Sequence, residues 1–363
     1  MKFSPRHYVI PFVLCLSVIS KNAFAQGCII GRQCIPGAVT KRLFVMPGEF
    51  EVSVNYRTFR ADQHYNGTTY QQIRKDLNNY VINRQNIWDV TSTIGMTKKS
   101  NLVITLPFID SGWSIPRPIG SATQAPGPRS QQDGKGIGDI TAVWRTWYTD
   151  PNDSPAQNIA FGLGVKLPTG KANQTNYLPD RTGANFQQRV IDQSIQPGDG
   201  SWGIPVGIEG YKSIGRGLSV FGTLSYLVSP RDTNGVDSGR VPTETAPSID
   251  KFSVPDQYLY RVGVGAGVKA FPGFSAAFAV RKEGVPQKDL FGGHHGFRRP
   301  GYSISFEPSV SYLHNDTNWS LSVPITQFRN RIKHNTDGTE LTGDTTFADF
   351  QIIMSVSKRF GRK

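Results

Sequence analysis

Eleven charged side chains recur at alternate positions inside short segments that read as β-strands: Glu51, Arg57, Asp139, Arg145, Lys166, Glu209, Arg261, Lys269, Arg281, Glu307 and Asp349. Successive side chains of a strand point to opposite faces. Each of these charges therefore shares a face with Ser, Thr, Gly or Gln and opposes an aliphatic or aromatic face. Six cations against five carboxylates on one wall have two uses. They can brace the wall by pairing, or line a wet passage and guide a small polar or anionic solute.

Other spacings imitate enzyme motifs but lack the partners. Gly136 and Gly138 resemble a phosphate-cradling loop, yet no Lys-Ser/Thr follows. Gly263, Gly265 and Gly267 imitate a dinucleotide fingerprint, but they fall at strict period two with no helix after them. Small inward residues that keep a lumen open explain them better. A hydrolase in a membrane wall, like the outer-membrane phospholipases, needs a serine, a histidine beside it and an orienting polar group. His7 lies in the leader and His294-His295 in a Gly-rich loop, while His64, His314 and His334 have no recognisable serine motif beside them. Cys28 and Cys34 flank a short loop with no histidine nearby, a poor zinc site that an oxidising compartment can close as a disulfide. No catalytic residue, metal or cofactor is expected.

The compartment follows from the amino terminus. Lys2 and Arg6 precede an uncharged apolar run from Tyr8 to Ile19, and Ala23-Phe24-Ala25 offers a small-x-small cleavage site. This is a secretory leader, residues 1–25, too short to serve as a comfortable membrane anchor. Ala25-Gln26-Gly27 lacks the aliphatic residue that precedes a lipidated cysteine, so Cys28 reads as a disulfide partner. The chain has 40 Lys+Arg and 27 Asp+Glu; removing Lys2, Arg6 and Lys21 leaves 37 against 27, a net +10. An exported chain of that charge meets lipid phosphates and anionic solutes, not nucleic acid. Arg298, Arg299, Arg329, Arg331 and Lys333 fall in expected outer loops, where they could pair with lipopolysaccharide.

Strands must aim these groups. The dominant period is two, in segments of about ten residues between turn-forming clusters. Phe50, Val52, Val54 and Tyr56 oppose Glu51, Ser53, Asn55 and Arg57. Tyr258, Tyr260, Val262, Val264, Ala266 and Val268 oppose Gln257, Arg261, Gly263, Gly265, Gly267 and Lys269. Repeated along the chain, the pattern predicts twelve strands: an all-β, transmembrane antiparallel up-and-down barrel over 49–363. The 26–48 segment is expected on the periplasmic side, with the Cys28–Cys34 disulfide. Connections alternate between short (Thr97 to Ser100, Ser213 to Arg216) and long (Ser114 to Gly138, Gly170 to Ser201), as periplasmic turns and extracellular loops do. Trp88, Tyr148, Trp202, Tyr258, Tyr302 and Trp319 suit an interfacial girdle. A last strand closing on Phe360 suits recognition by the outer-membrane assembly machinery.

Met46-Pro47-Gly48-Glu49-Phe50, Gly136-Ile137-Gly138-Asp139-Ile140, Trp144 to Tyr148, Gly164 to Gly170 and Gln196 to Ser201 together resemble the outer-membrane family named for a MetA pathway of phenol degradation. The resemblance spans most of the mature chain. It implies a transporter-like barrel with a proposed link to aromatic compounds, and it carries over no catalytic residue. The expectation is a Gram-negative outer-membrane channel for small polar, anionic or aromatic solutes. The alternatives are a phospholipase-like enzyme, a structural or plugged barrel, or a fatty-acid-type channel plugged by 26–48. The polar inward faces argue against the last.

Overall fold

A computed structural model describes residues 44–118, 126–180, 182–242, 249–291, 295–332 and 344–361. The leader, the Cys28–Cys34 disulfide, Lys333 and His334 lie outside the described residues. Twelve strands form the wall: β1 (Phe50–Asn66), β2 (Ile82–Gly95), β3 (Ser100–Pro116), β4 (Arg129–Ile137 and Thr141–Trp147), β5 (Gln157–Lys166) and β6 (Ile204–Gly215). They continue with β7 (Leu218–Val228), β8 (Gln257–Gly267), β9 (Phe274–Val285), β10 (Gly301–His314), β11 (Thr317–Ser322 and Ile325–Arg331) and β12 (Thr345–Ala348 and Ile352–Phe360). Each strand pairs antiparallel with the next, and β12 returns to β1 with Phe360 opposite Phe50, so the barrel is closed. Closure leaves no edge among the membrane-spanning segments.

Alternation sets which way each strand faces. On β8 Val262 and Val264 are 63% and 46% exposed, while Arg261, next to Val262 but on the inner face, is 5% exposed. Phe161, Leu163, Ile208, Leu224, Phe278, Phe306, Leu321 and Val356 likewise stand exposed on the outer wall. Such an apolar exterior is unfavourable in water and suits hydrocarbon. A facing test follows. In a background with Cys28 and Cys34 replaced by serine, Val262→Cys and Val264→Cys should react only with a lipid-soluble maleimide. Arg261→Cys should react with a small water-soluble one; the reverse pattern would contradict this facing.

The turns are short at one rim, as at Thr97–Lys99, Arg216–Gly217 and Asn315–Asp316, and the long connections all lie at the other. Arg216 and Asn315 have positive φ, as tight turns demand. The strands run further toward the long-loop rim than the alternation suggests. β1 reaches Asn66 and β3 reaches Pro116, and residues 129–137, expected within a loop, pair with β3 from Phe108 to Pro116. β4 breaks at Gly138–Ile140, where the Asp139 carboxylate accepts the Gly170 and Asp199 N–H groups. Above that break a hairpin (Thr175–Leu178 with Gln187–Val190) covers the free edge of β4. Side chains replace a strand there: Gln174 bonds both ways to the Lys135 backbone, and Asn176 accepts from Asp133 N–H.

Candidate functional site: the barrel lumen

The inward charges form three groups along the lumen. At the short-turn mouth, Arg145 of β4 pairs with Glu209 of β6 (3.1 Å) and donates to Asn101, whose amide donates to the carbonyl of buried Val45. Arg359 pairs with Glu51 there (3.1 Å). Midway, Glu307 of β10 lies 2.9 Å from Arg261 and 3.7 Å from Arg281, and Arg281 also pairs with Glu283 (2.8 Å). Gln351, in the break between the two segments of β12, donates to Glu283 (2.7 Å). At the β4 break, Lys166 pairs with Asp199 and Asp139, and Arg57 and Asp89 line the same hollow. Arg329 pairs with Asp349.

Ten of the eleven expected lining residues thus lie in strands or strand breaks at the inner wall. Lys269 does not: β8 ends at Gly267, and Lys269 is exposed in the short turn that follows. Period two carries past the strand end, because Val268 continues the apolar pattern into the turn. The outer-loop arginines are also placed otherwise. Arg298 is buried against Asp289, Arg299 pairs with Asp192, Arg329 turns to Asp349, and Arg331 donates to the Pro300 and Ile332 carbonyls. All four are buried or half-buried against protein partners.

The lumen is crossed by part of the long β5–β6 connection, residues 191–199. Ile191 and Ile195, both 0% exposed, insert among Val81, Trp113 and Ile115. Their burial removes most of two large apolar side chains from water, worth about 3–5 kcal/mol against an undocked loop. Polar bonds fix the register. Asn83 donates to Ser194 Oγ (2.7 Å), Gln85 to the Ser194 carbonyl (2.8 Å), Gln193 to the Ser253 carbonyl (2.6 Å), and Asp192 N–H to Gln132 (2.7 Å). Arg299 grips Asp192 with two bonds of 3.0 and 2.7 Å. Gly134 is required beneath the segment, since a Cβ there would lie 2.0 Å from the Ile195 carbonyl oxygen. Below and beside it are two hollows of about 860 and 510 Å³, counting space open to solvent. Polar Gln85, Gln257 and Asp199 share their lining with apolar Ile87, Phe252, Val285, Ile109 and Leu227.

Residues 191–195 were not singled out by type and spacing, and residues 196–199 only as part of the family resemblance. One signal was present: Ile191 and Ile195 are large aliphatics four residues apart in a Gln-, Gly- and Asp-rich loop, and such residues need a burial partner. Asp192-Gln193-Ser194 between them forms a local turn, with Asp192 accepting the Ser194 N–H and hydroxyl.

Burial opposes ionisation of Asp192, but Arg299 and the Ser194 bonds outweigh it and hold the carboxyl well below the usual carboxylate range. An undocked aspartate titrates near 3.9. A depressed carboxyl stabilises the docked state fully above that value and loses its contribution as pH falls toward the depressed one. Docking should therefore be constant from pH 7 to about 5, and weaken only below about 4. Conductance against pH checks this; a transition between pH 5 and 7 would contradict it.

His64 and Asp344 form one pairing reminiscent of a hydrolase; a second, His295 Nδ1 with Asp232 (2.8 Å), stands exposed. Nδ1 of His64 is 3.0 Å from Asp344, but Nε2 accepts the Val81 N–H (2.8 Å). The nitrogen that would activate a serine is already used by backbone, so the pair ties β1 to its loop. Among the described residues no cluster of His, Cys, Asp and Glu could hold a metal.

No family model and no curated protein sequence matches this chain. In structure it is similar to the COG4313 outer membrane channel from Pseudomonas putida F1, at 13% identity and TM-score 0.58, over 90% of this chain and 100% of that one. Weaker likenesses are to the translocator domain of autotransporter NalP from Neisseria meningitidis (12% identity, TM-score 0.43, 86% and 88% covered) and to the Ralstonia pickettii toluene transporter TbuX (8%, 0.41, 86% and 90%). The first likeness establishes the fold as that of an outer-membrane barrel.

Proposed function

We propose that the protein is an outer-membrane channel through which small polar, anionic or aromatic solutes pass passively. The observation that carries this reading is a closed barrel with an apolar exterior, a lumen lined by polar and charged side chains, and one loop segment docked across it. The lower lumen offers paired charges and the upper lumen an apolar wall of Phe59, Ile87, Ile109 and Trp113. That division favours solutes with a polar end and a flat or aliphatic body. The MetA-pathway resemblance of Gly136–Ile140 and Gly164–Gly170, with its link to aromatic compounds, supports the same cargo. Phosphorylated outer-leaflet lipid around the wall and assembly through the β12 strand ending at Phe360 complete the reading.

Swelling of proteoliposomes tests it. Vesicles holding the refolded protein should swell in isosmotic arabinose or benzoate faster than protein-free vesicles, and a bulky trisaccharide should be excluded. Equal rates for all three solutes and for empty vesicles would overturn the channel reading.

A further inference from the structure

The outer face of β1 and β2 changes character at one level. Up to Tyr56 it is chiefly apolar or aromatic, and Tyr56 stacks on Trp88 with ring centroids 5.2 Å apart. One outward position higher, Asn86 accepts from both the Tyr56 and Thr58 hydroxyls (2.8 and 2.9 Å). At the next, Arg60 and Arg84 stand directly opposite each other in register. The ten residue-to-residue steps from Phe50 to Arg60 span about 33 Å along the strand, or about 25 Å along the membrane normal at a tilt of about 40°. That is the height of the apolar belt of such barrels. The arginines therefore stand where hydrocarbon gives way to the outer headgroups.

Like charges directly opposite each other on a strand pair repel. Their neighbours offset this only in part. Asp62 pairs with Arg60 (3.1 Å) and is shared with Lys75 (3.0 Å). Arg129, on the same outward face of β4, lies over the Tyr80 ring that Lys75 also covers. Asp110 is taken by Lys135 (3.3 Å), and Asp133 lies beyond Gly112. Arg84 is exposed and makes no hydrogen bond or ion pair among the described residues.

We propose that Arg60 and Arg84, flanked by Lys75 and Arg129, form a site on the outer wall for a phosphate of lipid A, the phosphorylated glycolipid of the outer leaflet. A phosphate between the two guanidiniums converts their repulsion into paired, charge-assisted hydrogen bonds. The Tyr56–Trp88 pair below meets the first acyl carbons. This inference rests on the outer-membrane reading above and adds to it a lipid partner with a fixed place.

The test is lipid retention by the refolded full chain in detergent micelles, read by native mass spectrometry with bisphosphorylated lipid A as the probe. Wild type should retain it. R60Q/R84Q should weaken retention about thirtyfold, at roughly one decade or less per arginine removed. R60K/R84K should recover much of it, and a remote R189Q variant should match wild type. Dephosphorylated lipid A should bind wild type and R60Q/R84Q alike. Heat-modifiable migration of every variant establishes that each barrel is folded. Equal retention of lipid A by folded wild type and R60Q/R84Q would overturn the site alone. Retention of phosphatidylglycerol equal to that of lipid A, with the same arginine dependence, would overturn the assignment to lipid A. Failure of wild type to enter micelles as a heat-modifiable barrel would overturn the outer-membrane reading, and the site with it.

Discussion

Replacing Arg299 with alanine is expected to raise the time-averaged conductance of the protein severalfold at neutral pH. The 191–199 segment crosses the lumen, and Arg299 is its charged anchor, with two bonds to Asp192 of 3.0 and 2.7 Å. Hydrogen bonds to charged groups contribute roughly 1.5–3 kcal/mol each. The pair is partly exposed, at 14% and 12%, so water screens some of this. A net loss of about 2 kcal/mol is a reasonable scale, and it shifts the docked-to-undocked ratio about thirtyfold. Ile191 and Ile195 remain inserted in the variant, so the segment should flicker open and not leave permanently. Arg299→Lys keeps the charge but loses the fork and should fall between the two. An Arg299→Ala channel with wild-type conductance and open probability would show that the segment does not limit the pathway.

The largest stability effect is expected at Glu307. Its carboxylate is 3% exposed and faces both Arg261 and Arg281, which are themselves buried at 6% and 5%. Ser322 also donates to it (2.6 Å). Glu307→Gln keeps the shape and the Ser322 bond but leaves two buried guanidiniums without that carboxylate. Breaking a buried pair by removing one partner costs about 3–5 kcal/mol. The urea midpoint for unfolding from lipid vesicles should fall accordingly. Asp110→Asn, which removes the exposed Asp110–Lys135 pair, should cost less than about 1 kcal/mol. Equal midpoints for the two variants would contradict a bracing role for the Arg261–Glu307–Arg281 group.

Where the strands cross the membrane, their facing was legible because lipid outside and water inside force one sense of alternation. That is why Val262 and Arg261 could be assigned opposite faces from residue type alone. Above the membrane the sense inverts. Phe59 and Ala61 of β1, and Ile109, Trp113 and Ile115 of β3, point inward and are buried, while Arg60, Asp62 and Asp110 point out. The outside there is polar and the inside holds the docked 191–199 segment, so a strand read for one polarity ends at Arg57. The same inversion qualifies the expectation of polar inward faces, which holds for the lower strands and not for the upper ones. The docked segment was hidden for a different reason. Its partners Val81, Asn83, Gln85, Trp113, Gln132 and Arg299 lie on four parts of the chain, and no local period brings them together. The charge bookkeeping of the outer loops failed in the same way, since Arg298, Arg299, Arg329 and Arg331 are each consumed by a partner distant in sequence or by backbone carbonyls.

Single-channel recording in planar bilayers, with a salt gradient, tests the central claim most directly. Discrete conductance steps from the refolded protein, enlarged or made more frequent by Arg299→Ala, are the result predicted for a lumen gated by the docked segment. Silence from a heat-modifiable, folded barrel, in wild type and in Arg299→Ala alike, would contradict it.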